Sequence, residues 1–202
     1  MSKAYDPQDS GQLKSEVGTY EKRSYVAHYE SSPALGATTD VHAAIVDDGT
    51  EQTITTGITN PPEVRNITAT AGGTAADIKA IQVTINGTDA AGEVLQEVLP
   101  VFTVNTAGTV VGLKCFKTVT SIVVPAHDDV LATTAIGLGD KLGLQHALTR
   151  NTVVNTFQAD ALEGTAPTVT VSATVLASNG ATLNTALDGG DVDIYYFVDG
   201  DE

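Results

Sequence analysis

Short runs of valine, isoleucine and threonine, separated by turn residues, fill residues 77–144. In the first run Ile81, Val83 and Ile85 alternate with polar residues. An alternation of period two places the three aliphatic side chains on one face of a β-strand. The 202 residues also contain 19 glycines and seven prolines, which disfavour long helices. The chain is therefore predicted to be all-β.

Turn residues predict where the strands begin and end. Asn86-Gly87 and Gly92 predict a hairpin loop, because these residues tolerate a positive φ. Gly137-Leu138-Gly139 predicts the end of a strand, and Pro125 predicts the end of the one before it. Strands are predicted at residues 24–29, 41–46, 52–56, 64–70, 81–85, 94–99, 114–124, 132–137, 152–157, 168–176 and 192–198.

Two segments carry more specific predictions. The turn sequence Asp47-Asp48-Gly49 predicts that the strands on either side of it pair with each other. Residues 168–176 show the clearest alternation in the chain. Their predicted inward face holds Val169, Val171, Ala173 and Val175. About ten short strands at this spacing are typical of sandwiches and barrels. We therefore predict an antiparallel β-sandwich, or a jelly-roll-like barrel, over residues 24–202.

Residues 1–23 differ from the rest of the chain and are predicted to form an extended N-terminal arm. They are polar and interrupted by proline and glycine, which favours a segment that is flexible or ordered by a partner. As a helix, Leu13, Val17 and Tyr20 would share one face. Tyrosine is enriched at interfaces, and four of the six tyrosines lie in the first 29 residues. The predicted interface residues are Tyr5, Leu13, Val17, Tyr20, Tyr25 and Tyr29.

The charge of the chain is strongly acidic, with 25 acidic residues, 10 basic residues and a formal net charge of −15. Residues 1–23 hold four of each sign, so the predicted β domain carries the whole excess. Phosphate backbones bind through lysine and arginine, so nucleic acid is not expected as a partner. High net charge also keeps a protein soluble.

Cysteine content and hydropathy suggest where the protein is made. Cys115 is the single cysteine, and its apolar neighbours predict a packed thiol. No apolar run approaches the ~20 residues of a membrane-spanning helix, so no membrane contact is expected. The first residues lack the apolar core of a signal peptide, which predicts synthesis in the cytoplasm.

Residue patterns that carry chemistry are sparse, and the chain is predicted not to be an enzyme. His28, His42, His127 and His146 show no metal-ligand spacing. The glycine-rich segment 137–143 matches neither common phosphate-loop pattern, and no nucleophile elbow occurs. We assign no catalytic, cofactor-binding or metal-binding residue. Calcium binding at the acidic turn that holds Asp188, Asp191 and Asp193 stays open, since calcium prefers such oxygen ligands.

Three segments of the central region resemble tailed-bacteriophage virion proteins of the capsid decoration or cement type. They are VTINGTDAAG at residues 83–92, followed by Glu97, VGLKCFKTVTSIVVPA at 111–126, and GLGDKLGL at 137–144. The resemblance implies structural roles for these residues. The glycines would shape turns, Phe116 and Ile122 would lie in the core, and Asp140 and Lys141 would form a local pair.

The resemblance also implies a function. A decoration protein binds the outside of the viral head, contacts the major capsid protein and stabilises the shell, often as a trimer. This chain would then be made in the host cytoplasm and reside on the capsid exterior as a homo-oligomer. The alternative is a neck, tail-fibre or baseplate domain that contacts a host receptor or a glycan.

Overall fold

The computed structural model describes residues 12–14, 20–22 and 24–199. These residues confirm an all-β fold, with antiparallel strands arranged as in a β-sandwich. Helical structure among them is limited to two short 3-10 turns, Ala75–Asp77 and Leu176–Ser178. The strands are β1 (Gln12–Lys14), β2 (Tyr20–Lys22), β3 (Ser24–Ser31), β4 (His42–Val46), β5 (Gln52–Ile54), β6 (Arg65–Gly73), β7 (Thr84–Thr88), β8 (Val94–Val98), β9 (Gly108–Phe116), β10 (Thr118–Val124), β11 (Ala132–Gly143), β12 (Val153–Gln158), β13 (Ala161–Leu162), β14 (Thr168–Thr170), β15 (Gly180–Thr182) and β16 (Val192–Asp199).

The described strands form four antiparallel sheets. The central sheet has six strands, in the order β14-β15-β11-β6-β9 with β4 also paired to β11. The lateral sheet has the order β5-β10-β7-β8, and the terminal sheet has the order β13-β12-β16-β3. The fourth sheet is the hairpin of β1 and β2, in which Leu13 lies opposite Glu21 and Lys14 lies opposite Tyr20.

Two hydrophobic clusters hold the sheets together. The first draws side chains from the central and lateral sheets, and Phe116 and Ile122 in it are fully buried, as predicted. The second joins the terminal sheet to the far end of the central sheet, through residues such as Ile194 and Leu142. Burying a large apolar side chain stabilises the fold by roughly 1.5–3 kcal/mol. The 12-residue strand β11 contributes to both clusters, with Ile136 in the first and Leu142 in the second.

The predicted strand over residues 192–198 is confirmed in place and in orientation. In β16 the buried side chains are Val192, Ile194, Tyr196 and Val198, and the residues between them are more exposed. The predicted pairing of the hairpin strands is also confirmed, since β7 and β8 pair along their whole length. The first strand begins at Thr84, three residues later than predicted.

The position predicted for the loop of that hairpin is wrong. Asn86 and Gly87 lie inside β7, and the turn is formed by residues 89–92. Asp89 organises it, because its Oδ1 accepts hydrogen bonds from the backbone N–H of Ala91 at 2.9 Å and of Glu93 at 3.0 Å. Gly87 is needed where β10 comes closest, since a Cβ there would overlap the backbone carbonyl of Thr118.

The predicted end of a strand at residues 137–139 is also wrong, because β11 continues through these glycines to Gly143. A Cβ at Gly137 would overlap the backbone of Ala37 and Thr38, and one at Gly139 would overlap the amide of Asn66. Glycine in a strand marks close approach of other chain segments. These glycines therefore make room for neighbours and do not end the strand.

The strands on either side of Asp47-Asp48-Gly49 exist but do not pair with each other, which corrects a prediction. Instead β4 pairs with β11 and β5 pairs with β10. The carboxylate of Asp47 accepts a hydrogen bond from the backbone N–H of His127 at 3.0 Å and another from that of Gly49 at 3.1 Å. This bond to His127 ties the turn to the β10–β11 connection.

The long strand predicted at residues 168–176 is reduced to the three residues of β14. Val171 and Val175, predicted to face inward, are 37% and 40% exposed. The segment instead wraps around Asn179, whose buried amide Nδ2 donates to the carbonyl oxygens of Ser172 at 2.9 Å and Val175 at 3.0 Å. A straight strand would leave this buried amide without these partners, at a cost of about 1–3 kcal/mol.

Candidate functional site

The outer face of the terminal sheet carries a group of aromatic and aliphatic side chains. Antiparallel pairing places residues opposite one another on the same face. Val26 lies opposite Phe197, His28 opposite Tyr195, and Phe157 opposite Leu162. Val26, Phe197 and Leu162 are 55%, 43% and 60% exposed. We call these six residues the aromatic face.

Ring contacts order the middle of the aromatic face. The imidazole of His28 stacks on the ring of Tyr195, with centroids 4.4 Å apart and an interplanar angle of 4°. The ring of Phe157 forms a T-shaped contact with that of Tyr195, with centroids 6.1 Å apart and an interplanar angle of 88°. Such contacts between rings contribute about 0.5–1.5 kcal/mol of stabilisation in addition to that from burying their apolar surface. The three rings therefore form a fixed surface on a rigid sheet.

Two carboxylates lie next to this ring stack. Glu30 is opposite Asp193 in the pairing of β3 with β16, two residues along from His28. His28 Nε2 lies 2.6 Å from Asp193 Oδ1. The side-chain ligand atoms of His28, Glu30 and Asp193 all lie within 4.8 Å of one another. Within the residues that the structure describes, this is the group with the geometry to hold a metal ion.

The acidic turn that was left open for calcium uses its carboxylates elsewhere. Asp188 Oδ1 accepts hydrogen bonds from Gln158 Nε2 at 3.0 Å and from the backbone N–H of Gly190 at 2.9 Å, and these bonds lower the pKa of Asp188. Asp191 Oδ1 accepts a hydrogen bond from Ser32 Oγ at 2.5 Å. Asp193 is turned toward His28. The three carboxylates therefore do not converge on one point.

We expect added calcium to leave the melting temperature of the metal-free protein unchanged. Binding to the folded state alone would raise the melting temperature as calcium is titrated. A differential scanning fluorimetry titration with calcium chloride measures this directly, with magnesium chloride as the control for ionic strength. A calcium-specific rise would show that the Asp188, Asp191 and Asp193 carboxylates rearrange to bind the ion.

A second polar group, formed by Glu97 and Lys141, is buried at the central sheet. Glu97 accepts hydrogen bonds from the backbone N–H groups of Leu113 at 2.6 Å and of Lys114 at 3.2 Å, and burial raises the pKa of its carboxyl. Lys141 Nζ donates to the carbonyl oxygens of Leu113 at 2.6 Å and Ser178 at 3.1 Å, and burial lowers the pKa of its ammonium. The Glu97 carboxylate and the Lys141 ammonium therefore both form their hydrogen bonds with backbone groups.

A cleft of about 410 Å³ lies beside this buried group and is lined by Asn66, Lys141, Thr68, Val111 and Leu138, among others. Asn66 Nδ2 donates to the carbonyl of Gly112 at 2.9 Å, and its Oδ1 accepts from the backbone N–H of Lys141 at 3.0 Å. The polar side chains of Asn66 and Lys141 therefore form hydrogen bonds to the backbone of the sheet and have little hydrogen-bonding capacity left for a ligand.

One residue role implied by the resemblance is contradicted, and one prediction made from the residues alone is confirmed. Lys141 bonds to backbone carbonyls and Asp140 lies 3.6 Å from Arg65 Nη2, so Asp140 and Lys141 do not form the expected local pair. Cys115 is the packed thiol that was predicted. It is fully buried, and burial raises its pKa to about 12.

The predicted interface residues fall in different places. Tyr5 and Val17 lie outside the described residues. Leu13 and Tyr20 belong to strands β1 and β2, so they do not share a helical face. Tyr25 is 48% exposed at the rim of the terminal sheet, where its ring meets that of His146. Tyr29 is 5% exposed, and burial raises its pKa to about 12, so its side chain belongs to the core and not to an interface.

The aromatic face is not apparent from the sequence. Its members come from β3, β12, β13 and β16, and only the strand pairing brings them together. The available signal was the alternation in β16, which puts Asp193, Tyr195 and Phe197 on the side opposite the buried residues.

Comparison of the chain with protein-family models, with curated proteins and with solved structures found no match. Among the described residues, neither 3-10 turn has the length or apolar character of a helix that crosses a bilayer.

Proposed function

We propose that this chain is a structural component of a tailed-bacteriophage particle, a capsid decoration protein that binds the outer surface of the head and stabilises it. The observation that carries the proposal is the aromatic face. Exposed aromatic and aliphatic side chains grouped on one surface mark protein–protein contact sites. In a chain of net charge −15, aromatic side chains grouped on one surface match the residue types that are enriched at interfaces.

The partner in this proposal is the major capsid protein, with a homotrimer as the favoured state of the decoration protein. Strand β2 ends at Lys22 and β3 begins at Ser24, so the β1–β2 hairpin is joined almost directly to the edge strand of the terminal sheet. The arm and the aromatic face could therefore contact the shell side by side. Two weak contacts made by one molecule bind far more tightly than either alone.

A neck, tail-fibre or baseplate domain is the second candidate. The stacked rings of His28 and Tyr195, with Glu30 and Asp193 beside them, combine aromatic and polar groups on one surface. Ligand sites commonly pair aromatic surface with a few polar groups, so a receptor or glycan could use the same face.

Copy number separates these candidates. Quantitative mass spectrometry of purified particles should find the protein in hundreds of copies if it decorates the head. A dozen copies or fewer would support the neck, fibre or baseplate assignment. Absence of the protein from purified particles would overturn both.

Polar substitution on the aromatic face should weaken attachment to the particle. We expect the double variant Val26→Ser/Phe197→Ser to bind about tenfold more weakly, because truncating two exposed apolar contacts of the aromatic face costs about 1–2 kcal/mol. The measurement is add-back of purified protein to particles that lack it, read by sedimentation.

The matched control is Val94→Ser, at a side chain that is 92% exposed on β8 of the lateral sheet. It should bind as the unaltered protein does, and both variants should retain the melting temperature of the parent. Equal binding by the double variant and the control would exclude the aromatic face as the attachment surface.

A further inference from the structure

The register of β3 against β16 brings one imidazole and two carboxylates together on the outer side of the terminal sheet. His28 and Glu30 are two residues apart on β3, so both point to the same face. Asp193 lies directly opposite Glu30 and diagonal to His28. This arrangement is independent of whether the protein decorates a capsid.

The imidazole is held in an orientation suited to a ligand. Its ring stacks in parallel on Tyr195, which fixes the plane, and Nε2 is directed at the Asp193 carboxylate 2.6 Å away. His28 and Asp193 side chains are 37% and 21% exposed, so an ion can reach them from solvent. Loss of side-chain freedom on metal binding is therefore small for the histidine.

The separations fit a small cation with modest adjustment. Ligand atoms around a tetrahedral ion with bonds of ~2.1 Å lie ~3.4 Å apart. The three ligand atoms already lie within 4.8 Å of one another, and Glu30 is a flexible, exposed side chain. Rotation of the Glu30 side chain and a slight widening of the His28–Asp193 contact would complete the geometry.

The charge of the group also favours a dication. Two carboxylates facing each other across paired strands repel. A divalent ion bound between them neutralises both carboxylates. A set of one nitrogen and two oxygen ligands suits zinc and related transition metals, while calcium prefers oxygen alone.

We propose that His28, Glu30 and Asp193 bind a zinc ion, with a fourth coordination position open to water or to a ligand from a partner. Three protein ligands plus an open position is the pattern of a zinc site that can accept an additional group. The site differs from the acidic turn, in which Asp188 and Asp191 are bonded to other protein groups.

Titration of the metal-free full chain with zinc chloride tests the proposal by isothermal calorimetry. We expect one saturable site per chain. His28→Ala, Glu30→Gln and Asp193→Asn should each weaken zinc binding at least tenfold, and the same protein should give no saturable calcium binding. Cobalt should compete for the site and give the visible absorption of a four-coordinate ion, which His28→Ala removes.

The matched controls are His42→Ala and Glu51→Gln, which change the same residue types on β4 and in the β4–β5 connection. They should bind zinc as the parent does. Absence of saturable zinc binding, or an equal loss in the controls, would overturn the site. The assay uses no viral particle, so its outcome is separate from that of the attachment experiments.

Discussion

Replacing Asn179 with alanine should lower the free energy of unfolding by about 3–5 kcal/mol. The side chain is fully buried, and its Oδ1 accepts hydrogen bonds from the backbone N–H of Leu148 at 3.0 Å and of Ser172 at 2.9 Å. Its Nδ2 donates to the carbonyls of Ser172, Val175 and Leu176. The alanine variant leaves these buried and partly buried backbone groups without their partner.

Urea unfolding followed by circular dichroism measures the loss. Asn155→Ala is the matched control, because Asn155 is exposed on β12 and its replacement should change stability by less than about 0.5 kcal/mol. Asn179→Asp should be at least as damaging as alanine, since it places a carboxylate oxygen where the amide donates to carbonyl oxygens. Equal stability of the Asn179→Ala and Asn155→Ala variants would mean that the amide does not hold the 171–178 segment in place.

Replacing Arg65 with methionine should destabilise the protein by about 3–5 kcal/mol, the usual cost of breaking a buried ion pair from one side. Arg65 is 1% exposed, and its Nε donates to the carbonyl of Gly139 at 2.8 Å. Its Nη1 donates to the carbonyl of Ala34 at 2.8 Å and to Glu63 Oε1 at 3.0 Å. Methionine fills much of the volume but leaves the Glu63 carboxylate unpaired with little access to water.

The matched control, which removes an exposed positive charge, is Lys79→Met. Lys79 Nζ lies 3.6 Å from Asp128 Oδ1, and both side chains are about half exposed. An exposed pair of this kind contributes about 0–1 kcal/mol. Arg65→Lys should recover only part of the loss, because one ammonium group cannot reach all the acceptors that the planar guanidinium serves. If Arg65→Met and Lys79→Met have the same unfolding midpoint, the buried pair is not a major source of stability.

Local pattern was enough to predict the fold class and several strands. The alternation in β16 was correct because one face of that strand packs on the core and the other faces solvent. The core positions of Phe116 and Ile122, which the resemblance implied, are also confirmed. In these places local preference and tertiary packing favour the same conformation.

The errors occur where contacts from distant parts of the chain override local preference. Gly137 and Gly139 resemble a turn in the sequence, but they are strand residues because residues 37–38 and Asn66 pack against them. Apolar and polar residues alternate in segment 168–176 as they do in a strand. The carbonyl oxygens of this segment instead accept hydrogen bonds from the buried amide of Asn179. The distant residues that make these contacts lie outside any short window of the sequence.

The candidate site could not be predicted for a related reason. His28 and Asp193 are 165 residues apart in the chain, and the local pair of His28 and Glu30 supplies only two of the three ligands. Only the pairing of β3 with β16, the first strand of the predicted β domain and the last, places them together. A search for short sequence motifs cannot detect residues that only the register of paired strands brings together.

Strand β11 ties the two halves of the interior into one cooperative unit. It delivers Ile136 to one hydrophobic cluster and Leu142 to the other, and its backbone also pairs with β4, β6 and β15. Detaching this strand would expose both clusters at once, so neither half can open far while the other stays intact. A pull on the terminal sheet is therefore resisted by both clusters and does not separate one layer alone.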